Sequence, residues 1–259
     1  MVFSLPFYLV AAFIVSNKET NVRLTGRRWV YILLLGIFGY YLSSLFDFIG
    51  LQYVSAGLER LILFLYPTFA ILINAIVFKQ KMSRAQIIAL LLTYAGIMIA
   101  YLGELRLDAD HPGFLWGSFL IFLCAITFSV YIAGSGRIIP IVGAAKFTAY
   151  AMLIATGGIF IHFLFAGRIA SLGQGMSLWW YGILLALVAT VIPTFMISEG
   201  MNRIGSSNVA IISSIGPVST ILQAWMILGE RIYTGQIIGT VLVIVGVLLI
   251  GRETRAAGR

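Results

Sequence analysis

Long apolar runs alternate with short polar connectors along almost the whole chain. Stretches near the ~20 residues that cross a ~30 Å hydrocarbon core as helix fall at 29–49, 57–78, 85–103, 113–133, 146–166, 178–198, 208–228 and 233–250. They predict eight full membrane-spanning helices. A ninth run, residues 1–15, is too short to span and has neither the basic start nor the small-residue cleavage site of a signal peptide. It reads as half a helix.

The pattern repeats. Laid against each other at an offset of 150, residues 50–100 and 200–250 agree at ten of 51 positions, including Gly50/Gly200, Pro67/Pro217, Gln86/Gln236 and Gly96/Gly246. Each copy reads as a hydrophobic helix with a central proline, a short polar turn and a second hydrophobic helix, a supersecondary unit used twice. Subtracting 150 from the span at 146–166 places its partner at −4 to 16, which accounts for the half helix at residues 1–15. The expected fold is therefore an all-α membrane protein, a ten-helix inverted-repeat bundle of five plus five. The repeat predicts that the chain lacks the first helix and part of the second. Residues 1–103 form the first repeat and 104–259 the second, with a short basic tail.

Composition and charge agree with that picture. At 61% hydrophobic and 10% charged residues, the 259-residue chain has too few ionic groups to cover a water-facing surface. Its 17 basic residues against 9 acidic ones lie between the apolar runs and form no face for nucleic acid. Assigning alternate connectors to opposite sides puts thirteen Lys and Arg on one side, among them Lys18, Lys81, Arg84, Arg203 and Arg259, and four on the other, Arg60, Arg106, Arg168 and Arg231. Basic residues are retained in the cytoplasm. The C-terminus is thus expected inside, and the loop with Glu104, Asp108 and Asp110 outside. Five spans separate the two copies, so they are expected to be inserted upside down relative to each other.

Proline inside a helix removes one backbone bond and strands the carbonyl four residues back, here those of Leu63 for Pro67 and Ser213 for Pro217. Matched breaks of this kind in inverted repeats are where transporters expose backbone polarity to a substrate. Candidate substrate contacts cluster around them: Tyr66, Thr68, Asn208, Ser213, Ser214 and Gln223, with Tyr40 and Ser44 on the preceding span. Pro193 has no proline partner, standing opposite Ser43, and is expected to be a packing kink. Charges inside spans cost at least ~2.5 kcal/mol at the bilayer centre. Asp47, Glu59 and Arg60 form a candidate trio at the outer helix ends, either a structural clamp or a coupling site for a proton or substrate cation. Glu199 and Arg203 are an ordinary i, i+4 pair, and His162 is expected at the interface. Gly235, Gly239 and Gly246, with Ala85, Ala89 and Gly96 in the other copy, mark close-packed scaffold helices. A single cysteine, Cys124, and two histidines offer no metal cluster, and no catalytic constellation is visible. No cofactor and no enzymatic activity are expected.

The run ERLILFLYPTFAILINAIVFKQKMSRAQIIALLLTYAGIMI and its later counterpart SSNVAIISSIGPVSTILQAWMILGERIYTGQIIGTVLVIVGVLLIG resemble the EamA domain of the drug/metabolite transporter superfamily. The likeness is most specific in LGERIYTGQIIG, Leu228 to Gly239, with the proline upstream; the first copy departs from it by placing Gln80 where the acid stands. The resemblance implies two EamA repeats of five helices, a central cavity, cytoplasmic termini and transport of amino acids or similar metabolites, usually outward. The expected protein is a multi-pass transporter of a bacterial inner membrane, its partners a small-molecule substrate and the lipid bilayer. The competing reading is a non-transporting membrane partner or an inactive truncated form.

Overall fold

The computed structural model describes residues 1–17, 22–77, 79, 84, 87–88, 91–92, 94–96, 98–99, 112–166, 176–213, 223–229 and 232–257. All regular structure among them is helical. A single 3-10 turn, Val2–Ser4, leads into α1 (Leu5–Ser16), whose Pro6 sits in the first turn, where its missing N–H costs nothing. Next come α2 (Gly26–Gly50), α3 (Ala56–Leu63) and α4 (Tyr66–Ile76). The chain continues through α5 (Phe114–Val142), α6 (Ala144–Ala166), α7 (Met176–Leu184), α8 (Ile192–Ile212) and α9 (Thr234–Ala257).

Among the described residues, four helices are long and apolar enough to cross a membrane: Gly26–Gly50, Phe114–Val142, Ala144–Phe165 and Trp179–Ser206. Their outward faces are apolar, with Phe165 89% and Leu164 76% exposed. Water would penalise such surfaces, whereas lipid does not.

Boundaries recur at the sequence offset. Leu63 closes α3 and Ile212 closes α8, one residue from the same offset. Inside α8 the backbone leaves helical geometry at Gly205 (φ 80°), opposite Ser55, which caps α3 by accepting a hydrogen bond from the Leu58 amide. The predicted connector between the spans at 178–198 and 208–228 is thus a single glycine bend.

The helical ladder widens to π geometry at Ile37–Leu42 within α2, at Leu185–Val191 between α7 and α8, and at Ala224–Leu228. Subtracting 150 from 185–191 gives 35–41, so the first two fall at matching positions of the repeat. In the second copy the segment runs up to Ile192 and Pro193, and Pro193 has no N–H to return. The Ile192 amide reaches back five residues to the Leu187 carbonyl. Pro193 is accordingly a helix irregularity, but its counterpart widens with Ser43 in place of proline.

The described chain divides into two compact units, and the division falls within α2, α5 and α8. Unit 1 comprises Met1–Tyr41 and Gly134–Ser206; unit 2 comprises Leu42–Ala133 and Ser207–Arg259. In unit 1, α6 packs against α1 and α2 along a face of small residues, Ala149, Ala151 and Ala155, all fully buried. Gly36 brings α2 so near that a Cβ there would lie 2.6 Å from the Ala151 carbonyl. The α5 helix runs nine residues past the predicted end of its span at 133. It stops at Gly143, whose φ of 87° suits only glycine. Lys146, in the following turn, donates to the Val22 carbonyl.

Unit 2 holds an apolar core of Leu58, Ile62, Phe64, Leu65, Ile121, Ala125 and Val243, joining α3, α5 and α9. Gly50 and Gly117 let α2 meet α5 closely: a Cβ at Gly117 would lie 2.9 Å from the Gly50 carbonyl. Gly96 approaches the Gly239 carbonyl, with 2.6 Å left for a Cβ. The expected close packing of the two small-residue helices is therefore present at this pair.

Candidate functional site

The expected break at Pro67 exists and lies just ahead of it. The α3 helix ends at Leu63, Phe64 and Leu65 form a turn, and α4 begins at Tyr66 with Pro67 in its first turn. The Leu65 amide bonds to Ile62 and the Phe69 amide to Leu65. Pro67 has no amide hydrogen to return to the Leu63 carbonyl. The side chains around this turn are buried: Thr68 is 2% exposed, and Phe64, Leu65 and Pro67 are buried with it.

Tyr66 is the polar group at the break. Its ring meets Phe128 edge-on, with centroids 5.2 Å apart, and Phe128 in turn stacks on Tyr131. Its hydroxyl bonds to Ser213, the residue after the end of α8. Two candidates picked from the separate copies of the repeat are thus joined. Gln223 is exposed and Ser44 half-buried. Ser214, Pro217 and the Asn208 side chain lie outside the described residues.

The charged trio is also assembled. The Arg60 Nε is 3.1 Å from the Glu59 Oε2. Asp47, near the end of α2, is a direct side-chain neighbour of Glu59. Glu59 is fully buried whereas the Arg60 side chain is 43% exposed. Angles are poor: Asp47 Oδ1, both Glu59 oxygens and Arg60 Nε close no hydrogen bond. Cys124 of α5, 5% exposed, faces the same three charges. Sequence reasoning set Cys124 aside because it stands alone in an apolar run.

Tyr40 lies elsewhere, in unit 1, against a core of Tyr8, Met152 and Val191. There the fully buried Tyr8 hydroxyl meets the Thr194 Oγ1 at 2.8 Å, and Thr194 also donates to the Val191 carbonyl at the end of the π segment. Sequence reasoning passed over this pair, because Tyr8 sits in the half helix and Thr194 beside a proline read as a packing kink. Thr194→Val is expected to lower thermal stability by about 1–3 kcal/mol, since it takes the Thr194 hydroxyl from the buried Tyr8 hydroxyl and from the Val191 carbonyl. Tyr8→Phe should cost only about 0.5–1.5 kcal/mol, because Thr194 keeps its carbonyl partner. Thermal unfolding in detergent gives the ranking; an equal or reversed order would mean that the bond contributes little.

His162 is not a bare interfacial residue. Its Nδ1 lies 3.0 Å from the Tyr41 hydroxyl, and Gly158, one turn earlier, leaves room for the Tyr41 ring. The ordinary helix pair is present as expected, with Arg203 Nε 2.6 Å from Glu199 Oε1.

Apolar helices with lipid-suited faces, a helix broken at mid-span and polar groups gathered at the break define an integral, multi-pass membrane protein of the transporter class. The chain belongs to the EamA-like transporter family, which it matches over residues 1–102 and 115–252. It is similar to the uncharacterized transporter YcbK of Bacillus subtilis, 32% identical over 211 residues, covering 79% of this chain and 66% of that protein. A second relative, the uncharacterized transporter YyaM of Bacillus subtilis, is 24% identical over 93% of this chain and 78% of its own length. A solved crystal structure shares the fold with a TM-score of 0.67 at 19% identity, covering all of this chain and 88% of that one. The protein is a membrane transporter and not an enzyme.

Proposed function

We propose that the protein moves a small polar or amphipathic metabolite, an amino acid or similar compound, by alternating access through a central cavity. The direction is outward or by exchange, across a bacterial inner membrane. In this reading residues 1–103 and 104–259 are two EamA repeats of an inverted five-plus-five bundle, and the C-terminus is cytoplasmic. The substrate meets the two breaks: Tyr66, Pro67 and Thr68 from one copy, and Asn208, Ser213, Ser214, Pro217 and Gln223 from the other. Tyr40 and Ser44, on the preceding span, are further candidate contacts.

The Tyr66–Ser213 bond carries the proposal. A hydroxyl pair that ties the break before Pro67 to the end of α8 is a contact that can be traded for a ligand, and trading it would loosen both together. Counterflow of labelled amino acids in proteoliposomes tests the activity. Flux above empty vesicles that Tyr66→Phe and Ser213→Ala both reduce is the expected result, and flux indifferent to both changes would dismiss this site.

Orientation has its own test. In a chain whose Cys124 is replaced by Ser, cysteine at position 108 should react with an impermeant maleimide in intact cells. Cysteines at 81 and 259 should react only after the cells are opened. Labelling at 81 from outside would invert the proposed topology.

A further inference from the structure

The Asp47, Glu59 and Arg60 group has an unbalanced charge in a place that tolerates little. Two carboxylates and one guanidinium leave one net negative charge, and Glu59 is fully buried on α3, the helix that gives Leu58 and Ile62 to the apolar core. Two carboxyls in side-chain contact cannot both ionise without strong repulsion, and burial strengthens that repulsion. Among the described residues, no group facing these carboxyls but Arg60 is a cation. From α5, Cys124 faces the group; α9 packs against α3, and residues 234–250 of α9 contain no titratable side chain.

The buried side chain also shows that the site is chemically incomplete. Glu59 is fully buried and directed at Asp47 and Arg60, yet neither of its oxygens accepts a hydrogen bond. Orphaned buried carboxyl oxygens call for an explanation. One proton supplies it: a protonated carboxyl donates to its neighbour, and the remaining carboxylate balances Arg60. Half-exposed Arg60 gives the group an edge through which a proton can arrive. The group lies seven residues before Tyr66, about 10 Å along a helix at 1.5 Å per residue, on the helix whose break is the candidate substrate site.

We propose that Asp47 and Glu59 share one exchangeable proton, with Arg60 as its counter-charge, and that this proton is the ion coupled to substrate movement. The coupling half of the proposal rests on the transport function proposed above. Loading neutralises the trio, and release restores a net negative charge that α3 must rearrange to accommodate. Because α3 leads directly into the Phe64–Leu65 turn, that rearrangement reaches Tyr66 and its bond to Ser213.

Infrared difference spectra between acid and alkaline buffer test the proton directly on the full chain in lipid, without any substrate. Wild type should show a carboxylic-acid carbonyl band that titrates, and Glu59→Gln and Asp47→Asn should each lose it, while Glu199→Gln in the exposed helix pair keeps it. A band that survives both isosteric changes overturns the shared proton. Flux of labelled amino acids then tests the coupling. A pH gradient should drive wild-type uptake, and in both variants this uptake should fall to the level of empty vesicles while counterflow persists. Gradient-driven uptake by both variants would overturn the coupling. Should wild type transport nothing while its band titrates and vanishes in both variants, the shared proton stands and the transport reading is what fails.

Discussion

Gly36→Ala is expected to destabilise the protein by about 1–3 kcal/mol, although alanine is the better helix former. The added methyl would lie 2.6 Å from the Ala151 carbonyl and 3.2 Å from its Cα, both backbone atoms that no rotamer change can move aside. Relief requires α2 to back away from α6, which opens the contacts along a face whose Ala149, Ala151, Met152 and Ala155 are fully buried. Membrane helices gain little from hydrophobic burial against one another, so loss of close packing is felt directly. Gly157→Ala on α6 should do the opposite and stabilise by about 0.5–1 kcal/mol, because nothing lies within 4 Å of a Cβ there. Thermal unfolding of the two variants in one detergent decides it. If both shift in the same direction, packing at Gly36 is not what holds these helices together.

Much of the architecture was written in two periodicities. Run length located the starts of α2, α3, α5, α6 and α9 to within about three residues, since a helix that crosses lipid must be apolar throughout. The runs at 85–103 and 208–228 lie partly outside the described residues. The offset of 150 also brings the end of α3 at Leu63 within one residue of the end of α8 at Ile212. What run length could not show is where a helix outlasts the membrane. The α5 helix continues to Val142 because Gly134 and Gly136 fit against Leu35 and Ser206 within unit 1, a tertiary reason with no hydropathy signal. Nor does hydropathy register a π turn, which changes the hydrogen-bond ladder and leaves the composition alone. Pro193 hinted at one in the second copy, but nothing in IFGYYL hints at the other.

For the polar groups, legibility followed sequence distance. Glu59 and Arg60 are adjacent, and Asp47 is one short connector away, so their meeting could be foreseen from the chain's path. The bonds from Tyr8 to Thr194 and from Tyr41 to His162 join residues 186 and 121 positions apart. Only packing brings those together. The Tyr66–Ser213 pair is the instructive exception, because the repeat made both ends visible as candidates on equivalent helices before any contact was known.

Pro67→Ala should separate stability from transport. Alanine at 67 restores an N–H four residues after Leu63, so the Phe64–Leu65 turn can close into one helix from Ala56 to Ile76. The regained backbone bond contributes about 0.5–1.5 kcal/mol, and alanine has the higher helix propensity. A straight helix has a different register at Tyr66, however, and would carry its ring off Phe128 and its hydroxyl away from Ser213. Transport should therefore fall sharply while melting temperature rises or holds. Pro217→Ala should repeat the result if the second copy is built likewise. Pro193→Ala is the internal control: it lies at the end of a π segment whose counterpart, before Ser43, forms without proline, so π geometry should survive there and flux should stay near normal. Melting curves and initial rates of counterflow for the three variants are the measurement. Lost transport in the Pro193 variant alone would locate the working break in the π segment and remove the paired-proline site.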